Sequence, residues 1–333
     1  MGWDPLYVSP ERIQFWKEHS LLGWAHQPGQ EGVFEKPQFR TFVRINQKGL
    51  RDREHSYERP NNTKRILVLG DSFAWGFGVD EPGRFSELLE TSLGVDVVNA
   101  GVSGYSTDQE LLWLKSEGIK YDADLVILIF CGNDIIHNHM ELVYTIYYKP
   151  KFLIEEGKTI LKSSRVPTIL LKAKFIYFLS QHSALANLFV NRYFNLLSFY
   201  NKFKDNLHKT NPSVFRTSPT KKSFELTIML LDEMNNIAKL KGAKFMIVAT
   251  DRWWYSPSGE TDQDFIDTLK ASGFLVLDVE SMPGFNPTDM LIPHDGHWSI
   301  VGHQFVAEQI ENFIESHRLL SEPHNDNAAD QTE

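Results

Sequence analysis

Short, almost wholly apolar runs recur along the chain, each closed by a glycine, asparagine or aspartate and followed by a segment with helical spacing. The run Ile66 to Leu69, led in by Arg65 and stopped by Gly70, predicts a buried parallel strand ending in a tight turn. Phe85, Leu88, Leu89 and Leu93 then fall on one face of a helix over Gly83 to Leu93. A strand follows at Val95 to Ala100, and a helix at Thr107 to Glu117, with Thr107 as N-cap and Glu110 three residues on as a capping box. Leu125 to Phe130 is the most apolar run and predicts the central strand. After a long interruption the rhythm resumes: helix Phe224 to Lys241, strand Ala243 to Thr250, helix Asp262 to Ser272, strand Phe274 to Val279, and a last helix from about Ser299 to His317. Five strands alternating with helices predict an α/β fold, a three-layer α/β/α sandwich with right-handed crossovers.

Three stretches depart from this rhythm. Residues 1–63 carry aromatic and turn residues without sustained periodicity and are expected to wrap the main domain. Within them Thr41 to Asn46 alternates apolar and polar side chains, the pattern of a half-buried edge strand. Residues 137–222 hold no strand comparable to the core runs, and Thr168 to Phe203 reads as one or two long amphipathic helices inserted into the fold. Residues 321–333 are polar and are expected to be disordered. The expected organisation is an N-terminal extension (1–63), a main domain (64–320) with a helical insertion at about 137–222, and a tail (321–333).

Composition narrows the partners. With 42% hydrophobic and 13% aromatic residues, the 333-residue chain can build a large core. A balance of 34 basic against 43 acidic residues argues against a nucleic-acid partner. Cys131 is alone, so no intrachain disulfide forms, and no Cys/His spacing resembles a metal site; no cofactor is implied. The chain as given shows no signal-peptide pattern and no transmembrane stretch, which leaves its compartment and oligomeric state open. Charge is segregated: residues 141–222 carry 14 Lys and Arg against 4 Asp and Glu. Lys149, Lys151, Phe152, Lys172 and Lys174 are therefore candidates for a substrate lid that attracts an anionic substrate or a membrane surface, against the alternative of an ordinary solvated basic face.

Four loops concentrate the chemistry: Gly70-Asp71-Ser72, Ser103-Gly104, Gly132-Asn133-Asp134 and Pro293-His294-Asp295-Gly296-His297. The first three follow strands, at the edge where open α/β sheets bind ligands. A serine hydroxyl needs a base to become a nucleophile, and a tetrahedral intermediate needs donors around its oxyanion. Ser72 as nucleophile, His297 as base and Asp295 as its orienting carboxylate meet the first need. Backbone N–H groups of Ser72 and Gly104 and the Asn133 side chain meet the second.

This set resembles the SGNH (GDSL-type) hydrolase superfamily. The matching blocks are Ser72 within GDSF, Gly104 within NAGVSG, Asn133 within GND, and Asp295 with His297 within DGHW, in family order over roughly residues 64–316. The resemblance implies a flavodoxin-like sandwich of five parallel strands and a serine hydrolase acting through an acyl-enzyme. Phe73 stands where the family name has leucine, and Asp295 lies two residues before His297 where many members have three. Two residues apart on an extended loop, the side chains are expected on the same side. Asp278, ending the last predicted strand, is the runner-up acid. The implied substrate is a small-molecule or glycan O-acyl ester, of a carbohydrate or a lipid. An O-acyltransferase using the same site and a non-catalytic binding protein on the same fold are the alternatives.

Overall fold

The computed structural model describes residues 15–59, 63–143, 147–162, 220–250 and 262–320. Two antiparallel hairpins come first, β1 (Trp16–His19) with β2 (Gly23–His26) and β3 (Glu31–Lys36) with β4 (Phe39–Arg44). The alternation then begins with β5 (Arg65–Gly70), α1 (Ser72–Trp75), α2 (Phe85–Leu93), β6 (Asp96–Asn99), α3 (Thr107–Ser116), β7 (Leu125–Cys131) and α4 (Asp134–His137). Two small hairpins follow, β8 (Leu142–Val143) with β9 (Tyr147–Tyr148) and β10 (Lys151–Glu155) with β11 (Lys158–Lys162). The chain closes with α5 (Lys221–Leu240), β12 (Lys244–Thr250), α6 (Asp262–Ala271), β13 (Leu275–Asp278), α7 (Pro287–Met290) and α8 (Ile300–Ser316).

The five longest-buried strands form one parallel sheet in the order β13-β12-β7-β5-β6. Strand alternation divides their side chains between two cores. Leu67 and Leu69 of β5 join Val126 and Leu128 of β7 beneath α3, α5 and α6, whose Leu111, Leu230 and Phe265 are buried there. Ile66 and Val68 face the other way with Ile127 and Ile129, against Phe85 and Leu89 of α2 and Val306 and Ile310 of α8. Both faces are covered, which is why these strands read as continuous apolar runs. Each such side chain, taken fully from water, contributes about 1.5–3 kcal/mol.

A third cluster joins the hairpins to the sandwich: Phe15, Phe34, Val43 and Ile45 surround Trp75 at the end of α1. The predicted edge strand at Thr41 to Asn46 lies slightly earlier, as β4.

One expectation needs correction. Thr107 is the first helical residue of α3 and Ser106, extended at φ −134° and ψ 168°, takes the N-cap position. The Glu110 carboxyl is buried, with neither oxygen hydrogen-bonded among the described residues, and no side chain caps the helix start, so the capping box does not form. In residues 137–222, expected to hold no strand comparable to the core runs, β8 to β11 are short hairpin strands, and only Phe152 of β10 is deeply buried among β10 and β11. The predicted helices at Thr168 to Phe203 and the tail 321–333 lie outside the described residues.

Candidate active site

The carboxyl end of β5 turns abruptly. Gly70 adopts φ +150°, and a Cβ there would meet Ala74 Cβ at 2.8 Å and Ile129 Cβ at 2.9 Å, so only glycine lets β7 and α1 approach this closely. Asp71 caps α1, its Oδ1 accepting the Phe73 N–H at 2.9 Å. Ser72 is thereby set half-buried at the sheet edge as the first residue of α1.

The partner of Ser72 arrives from the far end of the chain. His297 Nε2 lies 2.7 Å from Ser72 Oγ, and His297 Nδ1 lies 2.5 Å from Asp295 Oδ1. The segment bearing them is a closed turn, not the extended loop expected. Leu291 and Trp298 pair as an antiparallel bridge, and the Ile292 N–H donates to the His297 carbonyl at 2.7 Å. The Asp295 and Gly296 N–H groups both donate back to the Ile292 carbonyl at 3.1 Å, with His294 at φ +63° and Gly296 at φ +95°. This tight turn brings an Asp and a His two residues apart onto one hydrogen bond.

Electrostatics set where the hydrogens sit along these contacts. Burial raises the Asp295 carboxyl, but the hydrogen bond and charge of His297 outweigh it and hold the group below the usual carboxylate range. An ionised carboxylate only accepts, so Nδ1 carries the hydrogen and Nε2 is left to accept from the Ser72 hydroxyl. Asp71, by contrast, is raised by complete burial; its Oδ2 lies 3.4 Å from Ser72 Oγ, a weaker contact than the one to His297. Asp278 ends β13, three strand positions from β5. At strand spacing that is about 14 Å across the sheet. Asp295, not Asp278, meets the imidazole.

Gly104 and Asn133 occupy the loops after β6 and β7, the two neighbours of β5, and so share its edge of the sheet. The Val102 N–H donates to the Gly70 carbonyl at 3.0 Å, tying the Gly104 loop to the Ser72 turn. Asn99 reinforces this: its Nδ2 donates to the Ala74 carbonyl and to Ser86 Oγ, both at 2.8 Å, and its Oδ1 accepts from Gly101. The Asn133 carbonyl accepts from Ile136 and His137 at the start of α4, while its Oδ1 is buried with no hydrogen-bond partner among the described residues.

Among the described residues, the lid candidates do not sit as expected. Lys149 is fully buried and paired with Asp108 of α3, far from a solvated lid position. Burial lowers its ammonium and the Asp108 charge opposes that fall. Phe152 is core, and Lys151 sits 3.4 Å from Glu141 on the surface. Lys172 and Lys174 lie outside the described residues.

Two features escaped the sequence reading. Phe77, five residues after Ser72, stacks on the His297 ring with centroids 4.3 Å apart. Behind the site, Glu110 and Asp134 are buried carboxyls, both pushed well up by burial and by neighbouring carboxylates, Asp134 and Asp71 respectively. Neither stretch carries a local pattern that announces these contacts. Among the described residues no group of three or more His, Cys, Asp or Glu side chains could hold a metal ion. No helix among them is long and apolar enough to cross a membrane.

Residues 68–166 match the model of the GDSL-like lipase/acylhydrolase family. No curated protein matches the chain. Among solved structures, it is similar to a putative lipolytic protein of the G-D-S-L family from Desulfitobacterium hafniense, at 11% identity and TM-score 0.42, covering 75% of this chain and 99% of that one. It is also similar to the psychrotrophic esterase EstA from Pseudoalteromonas sp., at 12% identity and TM-score 0.42 over 77% of this chain and 98% of that one. A family 3 carbohydrate esterase from Clostridium thermocellum is 12% identical, with TM-score 0.40 over 78% of this chain and all of its own length (100%).

Proposed function

We propose, from the premise that this chain carries the GDSL-like lipase/acylhydrolase pattern over residues 68–166, that it is an ester-bond hydrolase working through an acyl-enzyme on Ser72. One observation supports this reading above the others: the unbroken relay from the Ser72 hydroxyl through His297 to the Asp295 carboxylate, with contacts of 2.7 and 2.5 Å. Ser72 Oγ attacks the acyl carbonyl while His297 Nε2 takes its proton, and Asp295 holds the resulting imidazolium. The carbonyl oxygen becomes an oxyanion, for which the donors would be the N–H groups of Ser72 and Gly104 and the Asn133 amide. His297 returns its proton to the departing alcohol. Water, deprotonated by the same imidazole, then attacks the acyl-enzyme and releases the carboxylic acid and free Ser72.

The test is p-nitrophenol release from acetyl, butyryl and octanoyl esters by wild type and Ser72→Ala side by side. The reading expects wild-type turnover that falls by at least about a thousand-fold in the variant. The chain-length profile then measures the acyl pocket. Equal turnover by both proteins, or none by a folded wild type, would count against it and favour acyl transfer or a binding role.

A further inference from the structure

We infer that the N-terminal extension is a working part of the site, with Phe77 as the positioning residue that fixes the plane of the His297 imidazole. The inference rests on the reading of His297 as general base. Hydrogen bonds at both ring nitrogens define only a line, and the imidazole can still tilt about it. A flat neighbour on the ring face removes that freedom. The Phe77 ring meets this need, at 4.3 Å and an interplanar angle of 27°, while Phe73 lies 4.9 Å away at 38°. An aromatic face also favours the cationic ring formed as Ser72 attacks.

What holds Phe77 comes from the hairpins. Phe34 of β3 and Phe39 of β4 meet its ring edge-on, with centroids at 5.2 and 5.1 Å. The backbone on either side of Phe77 is clamped by Arg51, whose buried guanidinium donates to the carbonyls of Trp75 at 2.9 Å, Gly76 at 2.7 Å and Val79 at 2.7 Å. The same guanidinium lies 4.4 Å over the Trp75 ring. A planar fork reaching three carbonyls is an arginine geometry that lysine cannot copy. Phe34, Phe39 and Arg51 all precede the residues that match the family model. The bracing of Phe77, though not Phe77 itself, is therefore supplied from outside the matched segment.

The experiment uses the full chain with Phe77→Leu, Phe77→Tyr, Phe39→Leu and Ser72→Ala, and reads three things: kcat and KM on p-nitrophenyl acetate, thermal melting, and the His297 ring-proton resonances. Phe77→Leu keeps an apolar side chain but loses the flat face. It is expected to lower kcat about 10- to 100-fold, to change KM by less than about threefold, and to move the His297 ring protons downfield as the ring current is lost. Phe77→Tyr should restore kcat to within about threefold of wild type. Phe39→Leu should act in the same direction and less strongly, and it carries the test should Phe77→Leu fail to fold. A folded Phe77→Leu with wild-type kcat, a Phe77→Tyr no better than leucine, or unmoved His297 resonances would overturn the inference while Ser72→Ala stays inactive. Turnover that survives in Ser72→Ala would instead strike the hydrolase reading and this inference with it.

Discussion

His297 Nε2 lies 2.7 Å from the hydroxyl of Ser72 although 225 residues separate them in the chain. The contact exists because two local devices meet: the Gly70 turn that ends β5 and the closed turn between Leu291 and Trp298. Neither device depends on the other for its own hydrogen bonds. Their registration comes from the packing of α8 on α2 and of both on the sheet, through Val306, Ile310, Phe85 and Leu89.

Asp295 is expected to matter through the tautomer it enforces. Asp295→Asn can offer its amide N–H to Nδ1, which moves the ring hydrogen to Nε2 and leaves Ser72 without an acceptor. The expected loss in kcat is about 10⁴-fold, measured on p-nitrophenyl acetate. Asp278→Asn, at the other edge of the sheet, should stay within about threefold of wild type. The reverse ranking would reassign the acid.

On the proposed mechanism, the Asn133 amide donates to the oxyanion. Asn133→Ala should cut kcat by about 10²–10³ with little change in KM. A KM effect alone would place the side chain in substrate binding rather than in transition-state stabilisation.

The buried pair of Lys149 and Asp108 ties the segment after β9 to the start of α3. Asp108 also accepts from Ser106 Oγ at 2.9 Å and the Gln109 N–H at 2.8 Å. Lys149→Met strands a buried carboxylate and should destabilise the fold by about 3–5 kcal/mol, read by chemical denaturation. Adding Asp108→Asn, which still accepts both remaining bonds, should recover most of that loss. No recovery would show that packing of the lysine stem, not the charge pair, carries the effect.

Histidines give the stability a definite pH dependence. Burial works against a charged His55, but bonds of 3.0 Å to Asp52 and Asp96 outweigh it and push its pKa up to about 9. Its folded pKa thus exceeds the unfolded value, so the contribution is complete below about pH 6.5 and is lost as pH rises through about 9. Burial, aided by Arg84 and Arg51, instead lowers His303 to about 3, and burial lowers His26 to about 4. Those two bind protons more readily when unfolded, so stability falls as pH drops below about 6.5. Melting temperature should therefore peak near neutrality, and His55→Gln should flatten the alkaline side only. An unchanged alkaline slope in that variant would contradict the assignment.

The sheet was legible because its strands are buried on both faces. Leu125 to Phe130 was expected and Leu125–Cys131 is observed, since an uninterrupted apolar run bounded by turn residues has no competing reading. The meeting of Ser72, His297 and Asp295 was also legible, because their loops bear glycine, aspartate and histidine in recognisable blocks; their catalytic roles rest on the proposal. What escaped depends on partners distant in sequence. A lysine in a basic stretch reads as solvated unless Asp108, 41 residues earlier, is known to meet it. Phe77 reads as an ordinary loop aromatic, because neither the His297 face it covers nor the Phe34 and Phe39 edges that brace it are near it in the chain. Strand β11 was missed because its side chains are almost all exposed, leaving no apolar period to find. The N-cap at Ser106 rather than Thr107 is a choice between adjacent hydroxyls that sequence pattern does not resolve.

The most direct test of the account is labelling with a fluorophosphonate, followed by intact-mass measurement and peptide mapping. A serine activated by the His297 relay should take a single adduct on Ser72, absent in Ser72→Ala and much slower in His297→Ala. An adduct on a different serine, or labelling of the folded wild type no faster than that of Ser72→Ala, would contradict the claim that Ser72 is the nucleophile.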